Sequence, residues 1–125
     1  MSTIRTRFRP HEHIRSPRDF QRAFERRRSV SDNELIVYAV ENGLEYARLG
    51  ISVGKKRVKR ATARNRVKRL IREAFRLNKD ALPAGVDLVV VPRNGNLTFD
   101  GAMRSLPALA RDAARRLGRR PVAPP

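Results

Sequence analysis

The sequence predicts a mixed α/β (α+β) sandwich of two layers, in which helices cover a small central sheet in the order α-β-β-α-β-α. Three observations support this class. The chain has 125 residues, which is about the size of one domain. Its hydrophobic share of 40% suits a protein with a core of its own. Apolar residues alternate along the chain between helical spacing and strand-like spacing.

The two ends of the chain lack such a pattern. Residues 1–15 are basic and carry Pro10, which discourages a helix before it, so we expect a flexible N-terminal arm there. Residues 119–125, "RRPVAPP", are expected to form a disordered tail. The folded domain is therefore predicted to span residues 16–118.

The stretch "SPRDFQRAFERR" predicts the first helix, from Pro17 to about Arg27. Ser16 can cap this helix, proline suits its first position, and Asp19 places a carboxylate where it favours a helix start. Its apolar face has the spacing of one helical stripe and consists of Phe20, Ala23 and Phe24.

Three stretches favour β-strands. "LIVYAV" (residues 35–40) and "ARLGISV" (residues 47–53) flank the turn signal Asn42-Gly43, so they are expected to be adjacent and antiparallel. "VDLVVV" (residues 86–91) is typical of a buried third strand, and Pro92 follows it. One additional short strand is compatible with this order.

Two further helices are predicted. The second begins at Ala61 and ends near Asn78, and the third begins after Thr98 and runs from about Phe99 to Leu117. The third helix has an apolar face made of Leu106, Leu109, Ala110, Ala113 and Leu117.

The distribution of charge predicts a polyanionic partner. The chain has 29 basic and 12 acidic residues, which gives a net charge of +17. Residues 55–76 hold 11 of the basic residues and 1 of the acidic ones, so +10 lies in this short stretch. A chain that is basic only for solubility would have no reason to concentrate its charge. Nucleic acid is therefore the expected partner.

The second helix has two distinct faces. Its apolar stripe consists of Ala63, Val67, Leu70, Ile71, Ala74, Phe75 and Asn78, and its opposite stripe of Asn65, Lys68, Arg69, Arg72 and Arg76. An ordinary solvated helix is the alternative, but such helices usually mix charges of both signs to form ion pairs, and this face offers only Glu73. Arginine side chains bind phosphate oxygens in bidentate fashion, so this face is predicted to bind nucleic acid.

Several other classes are not favoured. No cysteine is present, so disulfides and thiolate metal sites are excluded. No apolar run reaches the roughly 18 residues that a membrane span needs, and the first residues lack the apolar core of a signal peptide, so we expect a cytoplasmic protein without a membrane partner. A self-sufficient nuclease is also not favoured, because the carboxylates are scattered and His11 and His13 fall in the predicted flexible arm.

The stretch "RLGISVGKKRVKRATARNRVKRLIREAFR" resembles the signature region of the bacterial ribonuclease P protein subunit, whose hallmark is an Arg-Asn-Arg helix. "SPRDFQRAF", "LIVYAV", "VDLVVVPR" and "LTFDGAMRSL" are similar to other segments of that family in the same order, so the resemblance covers about residues 16–117. It implies a left-handed βαβ crossover, which the general preference for right-handed crossovers would not suggest.

The resemblance also implies a function. It implies that the chain is an accessory subunit of an endoribonuclease, inert by itself, whose catalytic RNA removes the 5′ leader of precursor tRNA with Mg²⁺ bound mainly by that RNA and its substrate. The implied partners are the catalytic RNA and precursor tRNA, with no small-molecule substrate. The alternative is a ribosomal or other structural RNA-binding protein without a role in cleavage.

The resemblance assigns roles to two groups of residues. The implied RNA-facing residues are Arg64, Asn65, Arg66, Lys68, Arg69 and Arg72, to which the helix face adds Arg76, and Lys55 and Lys56 are expected at the edge of the groove. The implied leader-binding cleft contains Phe20, Phe24 and Tyr38, because aromatic rings stack on unpaired bases. Phe20 and Phe24 also have ordinary core spacing, so core and cleft remain alternatives for them. No catalytic residue and no metal ligand is assigned to the protein.

Overall fold

The structure, a computed structural model, describes residues 8–26 and 29–117. Within them the chain forms the predicted α/β sandwich, with one short strand in addition. Its elements are α1 (Pro17–Glu25), β1 (Ser29–Ser31), β2 (Leu35–Glu41), β3 (Arg48–Ile51), α2 (Ala61–Leu77), β4 (Val86–Pro92) and α3 (Phe99–Arg116). None of these helices is both long and apolar enough to cross a membrane.

The four strands form one sheet in the order β1-β2-β4-β3. β4 pairs with β2 in antiparallel fashion from Leu35↔Pro92 to Glu41↔Val86, and β3 pairs with β4 in parallel. The prediction that β2 and β3 are adjacent is therefore wrong, since β4 lies between them. The turn signal is real, because Gly43 has a φ of 71°. Nevertheless, β4 is apolar and buried along almost its whole length, and such a strand is most stable at the centre of a sheet.

α2 and α3 cover one face of the sheet and make the main core. Along each helix, residues three or four positions apart face the strands, as the apolar stripes predict. This core includes Leu35 and Val37 of β2, Leu88 and Val90 of β4, Val67, Ile71 and Phe75 of α2, and Leu106 and Ala110 of α3. β3, α2 and β4 form the crossover for which the resemblance implies a left hand.

α1 packs on the opposite face and covers only part of it. Ser16 caps the helix by accepting a hydrogen bond from the Arg18 amide, as predicted. Ala23 is fully buried and packs in a second cluster with Val40 and Val89. The part of this face that α1 does not cover lies toward the end of β4, at Val91. It forms part of the site described below.

Residues 8–14, which we call the strap, were expected to be flexible and are instead packed. The Ile14 amide donates to the Leu49 carbonyl of β3 at 2.8 Å, and the Ile14 side chain is buried. The buried Glu12 carboxylate pairs with Lys79 Nζ at 2.8 Å. These contacts join residues far apart in the chain, which a local pattern does not reveal. Residues 1–7 of the predicted arm and the predicted tail 119–125 lie outside the described residues.

Candidate nucleic-acid interface

A groove lies between α1 and the uncovered part of the sheet. The rings of Phe24 on α1 and Tyr38 on β2 meet edge to face, with centroids 4.9 Å apart. The groove has a volume of about 550 Å³, and its other walls are Ser52, Gly54, Lys55, Lys56, Arg57 and Val91. It therefore combines two aromatic rings with a basic rim, and it brings Tyr38, Lys55 and Lys56 together.

A second, more open groove of about 650 Å³ continues along α1. Phe24 lines both grooves, so they adjoin, and the second is completed by Arg15, Pro17, Phe20, Gln21 and Glu25. We call the two together the aromatic groove.

Phe20 and Phe24 belong to both the core and the groove. Both are half-buried and pack against the cluster of α1 with the sheet, while both also line the groove. Gly50 of β3 makes this position of Phe20 possible: a Cβ at residue 50 would lie 2.7 Å from the Phe20 ring. The alternatives left open by the spacing of these two residues are thus not exclusive.

Beyond Phe20 the groove adjoins a smaller pocket between the strap, β3 and α2. This strap pocket has a volume of about 120 Å³. His13 of the strap and Lys68 and Arg72 of α2 line it, together with Phe8, Ile14, Phe20, Leu49, Gly50 and Ile51. Basic side chains therefore lie at both ends of the aromatic groove.

A buried ion pair within the sheet extends to α1 beside the groove. The Asp87 side chain in the central strand is fully buried and accepts from Arg48 Nε at 2.8 Å and Nη2 at 2.6 Å. Arg48 Nη2 also lies 3.4 Å from Asp19 of α1. Hydrogen bonding to Asp87 raises the pKa of Arg48, so the guanidinium is held charged.

Two of the implied RNA-facing arginines have structural contacts at the base of α2. Arg64 donates to the backbone carbonyls of Val58 and Lys59, at 3.0 and 2.8 Å. Arg66 donates to those of Gly95 and Leu97, at 3.1 and 2.6 Å. The two side chains thereby tie the loops before α2 and after β4 to the helix.

The outer face of α2 carries the remaining predicted residues. Asn65, Arg69 and Arg72 are exposed, whereas Lys68 is half-buried at the strap pocket. Arg76 forms an ion pair with Glu73, and this hydrogen bond lowers the pKa of Glu73. Arg76 therefore presents a partly neutralised charge.

The two histidines occupy different surroundings on the strap. His11 is exposed, and its ring meets that of Tyr46 edge to face at 4.9 Å. His13 is half-buried and stacks on Phe8 at 3.6 Å. In residues 8–26 and 29–117, no group of three or more His, Asp or Glu side chains could hold a metal ion.

Comparison with known proteins decides the family. Residues 8–117, which make up most of the chain, match the family model described as Ribonuclease P. The chain belongs to the ribonuclease P protein family. A ribonuclease P protein component from Pseudomonas putida (strain GB-1) is 48% identical over 81 residues, which are 64% of this chain and 60% of that relative. The chain thus spans 60% of the length of this curated relative.

Solved ribonuclease P protein structures share the fold. The protein from Thermotoga maritima superposes with a TM-score of 0.72 at 36% identity, covering 81% of this chain and 96% of that one. The protein from Staphylococcus aureus superposes with a TM-score of 0.71 at 33% identity, covering 82% and 94%. The mixed α/β class predicted from the sequence and its family are thereby confirmed.

The sequence pattern missed several residues of this candidate site. Arg57 lies in the basic stretch 55–76, and its position there was a usable signal. Arg15 and His13 were assigned to the arm, and only their contacts in the fold bring them to the groove and the strap pocket. Asp87 and Arg48 are 39 residues apart, so their pairing depends on the register of β3 with β4.

Proposed function

We propose that this chain is the protein subunit of ribonuclease P. In this proposal it binds the catalytic RNA of that ribonucleoprotein and the 5′ leader of precursor tRNA, and it assists the endonucleolytic removal of the leader in the cytoplasm. The single observation that supports the proposal most strongly is the aromatic groove with basic residues at both ends.

The groove suits a single strand better than a duplex. Bases in a single strand are unstacked and can lie on Phe24 and Tyr38, whereas paired bases in a duplex do not expose their faces. Lys55, Lys56 and Arg57 at the rim can neutralise the phosphates of the same strand. The 5′ leader is a single-stranded part of precursor tRNA, which makes it the proposed occupant.

The exposed face of α2 is proposed to bind the backbone of structured RNA. Arg69, Arg72 and Asn65 point away from the core and offer donors to phosphates and sugars. A guanidinium has five N–H donors, so Arg64 and Arg66 can keep their bonds to backbone carbonyls and still donate to RNA.

The cleavage chemistry is proposed to belong to the RNA, with Mg²⁺ bound mainly by the RNA subunit and the substrate. The two buried carboxylates in the described part of the chain support this proposal because both are already engaged. Asp87 is held by Arg48 and Asn42, and Glu12 by Lys79 and the Arg9 amide. The protein's contribution is then to reduce phosphate repulsion and to hold the leader in place.

The test is reconstitution. The purified chain is mixed with a bacterial ribonuclease P RNA and precursor tRNA at low Mg²⁺, and release of the leader is measured. We expect no cleavage by the protein alone and faster cleavage with the RNA present. Binding of both RNAs without any stimulation of cleavage would instead favour a structural RNA-binding protein. Cleavage by the protein alone, abolished by a substitution in it, would contradict the proposed division of labour.

A further inference from the structure

The strap pocket collects three nitrogen-bearing side chains around a space of about 120 Å³. Lys68 and Arg72 come from successive turns of α2, and His13 comes from the strap. Phe20 separates this pocket from the aromatic groove and lines both. A strand lying on the aromatic rings can therefore place a backbone group in the pocket without leaving the surface.

His13 is held firmly in this position. Its ring stacks on Phe8 with an interplanar angle of 15°. Its backbone forms a bridge to Leu49, and the next amide, that of Ile14, donates to the Leu49 carbonyl. The preceding residue, Glu12, accepts a hydrogen bond from the Arg9 amide at 2.7 Å and forms an ion pair with Lys79. The histidine is thus preorganised, as a binding group must be.

The charges that face His13 come from the strap and from α2. Burial lowers its pKa, and so do the positive charges of Arg15 on the strap and Arg72 on α2. A hydrogen bond with the Phe8 backbone and the negative charge of Glu12 raise it, but less in sum. Lys68 lines the same pocket. Together these groups lower the pKa of His13 from its ordinary value, which favours the neutral imidazole in the free protein.

We propose that the strap pocket binds one phosphodiester group of the RNA strand in the aromatic groove, with Lys68 and Arg72 as permanent cations and His13 as a third donor that takes up a proton when the phosphate enters. This inference rests on the proposed binding of single-stranded RNA. The phosphate cancels the repulsion from Arg72 and Arg15, so it favours the imidazolium. A protonated imidazole donates from both nitrogens, so His13 can keep its bond to Phe8 and bind the anion.

Proton uptake and binding are then linked. The pKa of His13 is higher in the complex than in the free protein, so affinity for RNA rises as pH falls between these two values. At pH values above the pKa of His13 in the complex, this contribution to the affinity no longer changes with pH. The same holds at pH values below the pKa of His13 in the free protein.

The first test measures binding of an oligouridylate, whose bases do not titrate in the range used. Between about pH 8 and about pH 5.5, we expect affinity of the full chain to rise roughly five- to tenfold. His13→Gln should remove this rise, whereas the matched change His11→Gln should leave it intact. His13→Arg should bind independently of pH at about the affinity that the unaltered chain reaches in acid. Amide NMR spectra verify that each variant is folded.

The second test follows the His13 ring by NMR across the same pH range. We expect its pKa to rise when the oligouridylate is added. A rise with sulfate but not with the oligouridylate would assign the pocket to a free anion and overturn the inference. RNA binding with the same pH dependence in His13→Gln would overturn it too, while the proposed function would stand. Absence of RNA binding at both pH values would remove the proposed function and this inference together.

Discussion

At Tyr38, the contribution of base stacking to RNA binding can best be distinguished from the contribution of side-chain packing to the fold. It lies on the sheet, half-buried, and its ring borders the aromatic groove beside Phe24. Truncating it removes a surface for one base and leaves α1 in place, because α1 is held by Ala23 and by the contacts of Arg48.

We therefore expect Tyr38→Ala to weaken binding of precursor tRNA by about 1 to 3 kcal/mol, the usual value of one stacked base, and to affect mature tRNA much less. Affinities of the reconstituted ribonucleoprotein for both RNAs provide the measurement. Tyr46→Ala is the matched control, since this tyrosine contacts His11 on the strap. Equal losses for precursor and mature tRNA would mean that Tyr38 serves only the core.

Arg66 illustrates how one residue can serve both the fold and the site. Its guanidinium satisfies the Leu97 carbonyl, and the Leu97 side chain is buried. Arg66→Ala is expected to lower the free energy of unfolding by about 1 to 3 kcal/mol, because a carbonyl loses its charged donor. Its exposed neighbour provides the control, and Asn65→Ala should change stability by less than about 0.5 kcal/mol. Urea unfolding measures both, and similar losses would contradict a structural role for Arg66.

At the scale of elements, α2 presents two of its cations, Arg69 and Arg72, on a face that does not contribute to the core. Arg69 and Arg72 are exposed, whereas Val67 and Ile71 are fully buried on the other side. Removing the two charges should leave the fold intact and change only the interaction with a polyanion.

For the double variant Arg69→Ala/Arg72→Ala we expect weaker RNA binding and a shallower dependence of affinity on salt. The slope of log affinity against log salt should fall in magnitude by roughly 0.7 to 0.9 for each phosphate contact removed. Arg104→Ala/Arg111→Ala on α3 removes the same charge from another exposed surface and should keep the original slope. An unchanged slope in a folded α2 variant would indicate a merely solvated face.

Helices and strands whose sequence signals lie within the element itself were predictable. The pairing of strands that are distant in the chain was not. α2 was predicted from Ala61 to about residue 78 and observed as Ala61–Leu77, because its stripes and its ends are encoded within the helix. The neighbour of β3 depends instead on β4, which lies far away in the chain, and the signal at Asn42-Gly43 favoured a local hairpin. The strap was missed for the same reason, since Glu12 and Lys79 are 67 residues apart.

At the scale of the whole molecule, one ion pair connects the two layers that form the groove. Arg48 on β3 joins the buried Asp87 of β4 to Asp19 of α1. Asn42 Nδ2 supports the same carboxylate at 3.0 Å. The network thus runs from the centre of the sheet to α1 at the side of the groove.

Arg48→Met should lower the free energy of unfolding by about 3 to 5 kcal/mol, because it leaves the Asp87 carboxylate buried without its cation. Asp19→Asn breaks only the longer and more exposed contact and should cost less than about 1 kcal/mol. Denaturant unfolding of both variants at neutral pH measures the difference. Similar values for the two would show that the pair with Asp87 does not stabilise the fold.

The central place of β4 also sets the order of events during synthesis. β4 is the last strand to be made, yet it bonds both β2 and β3. Until it leaves the ribosome, only the pair of β1 with β2 can form, and an isolated two-stranded hairpin is marginally stable. The basic stretch 55–76 precedes β4 in the chain and emerges first. The nascent polypeptide therefore carries this excess of positive charge before its sheet can form.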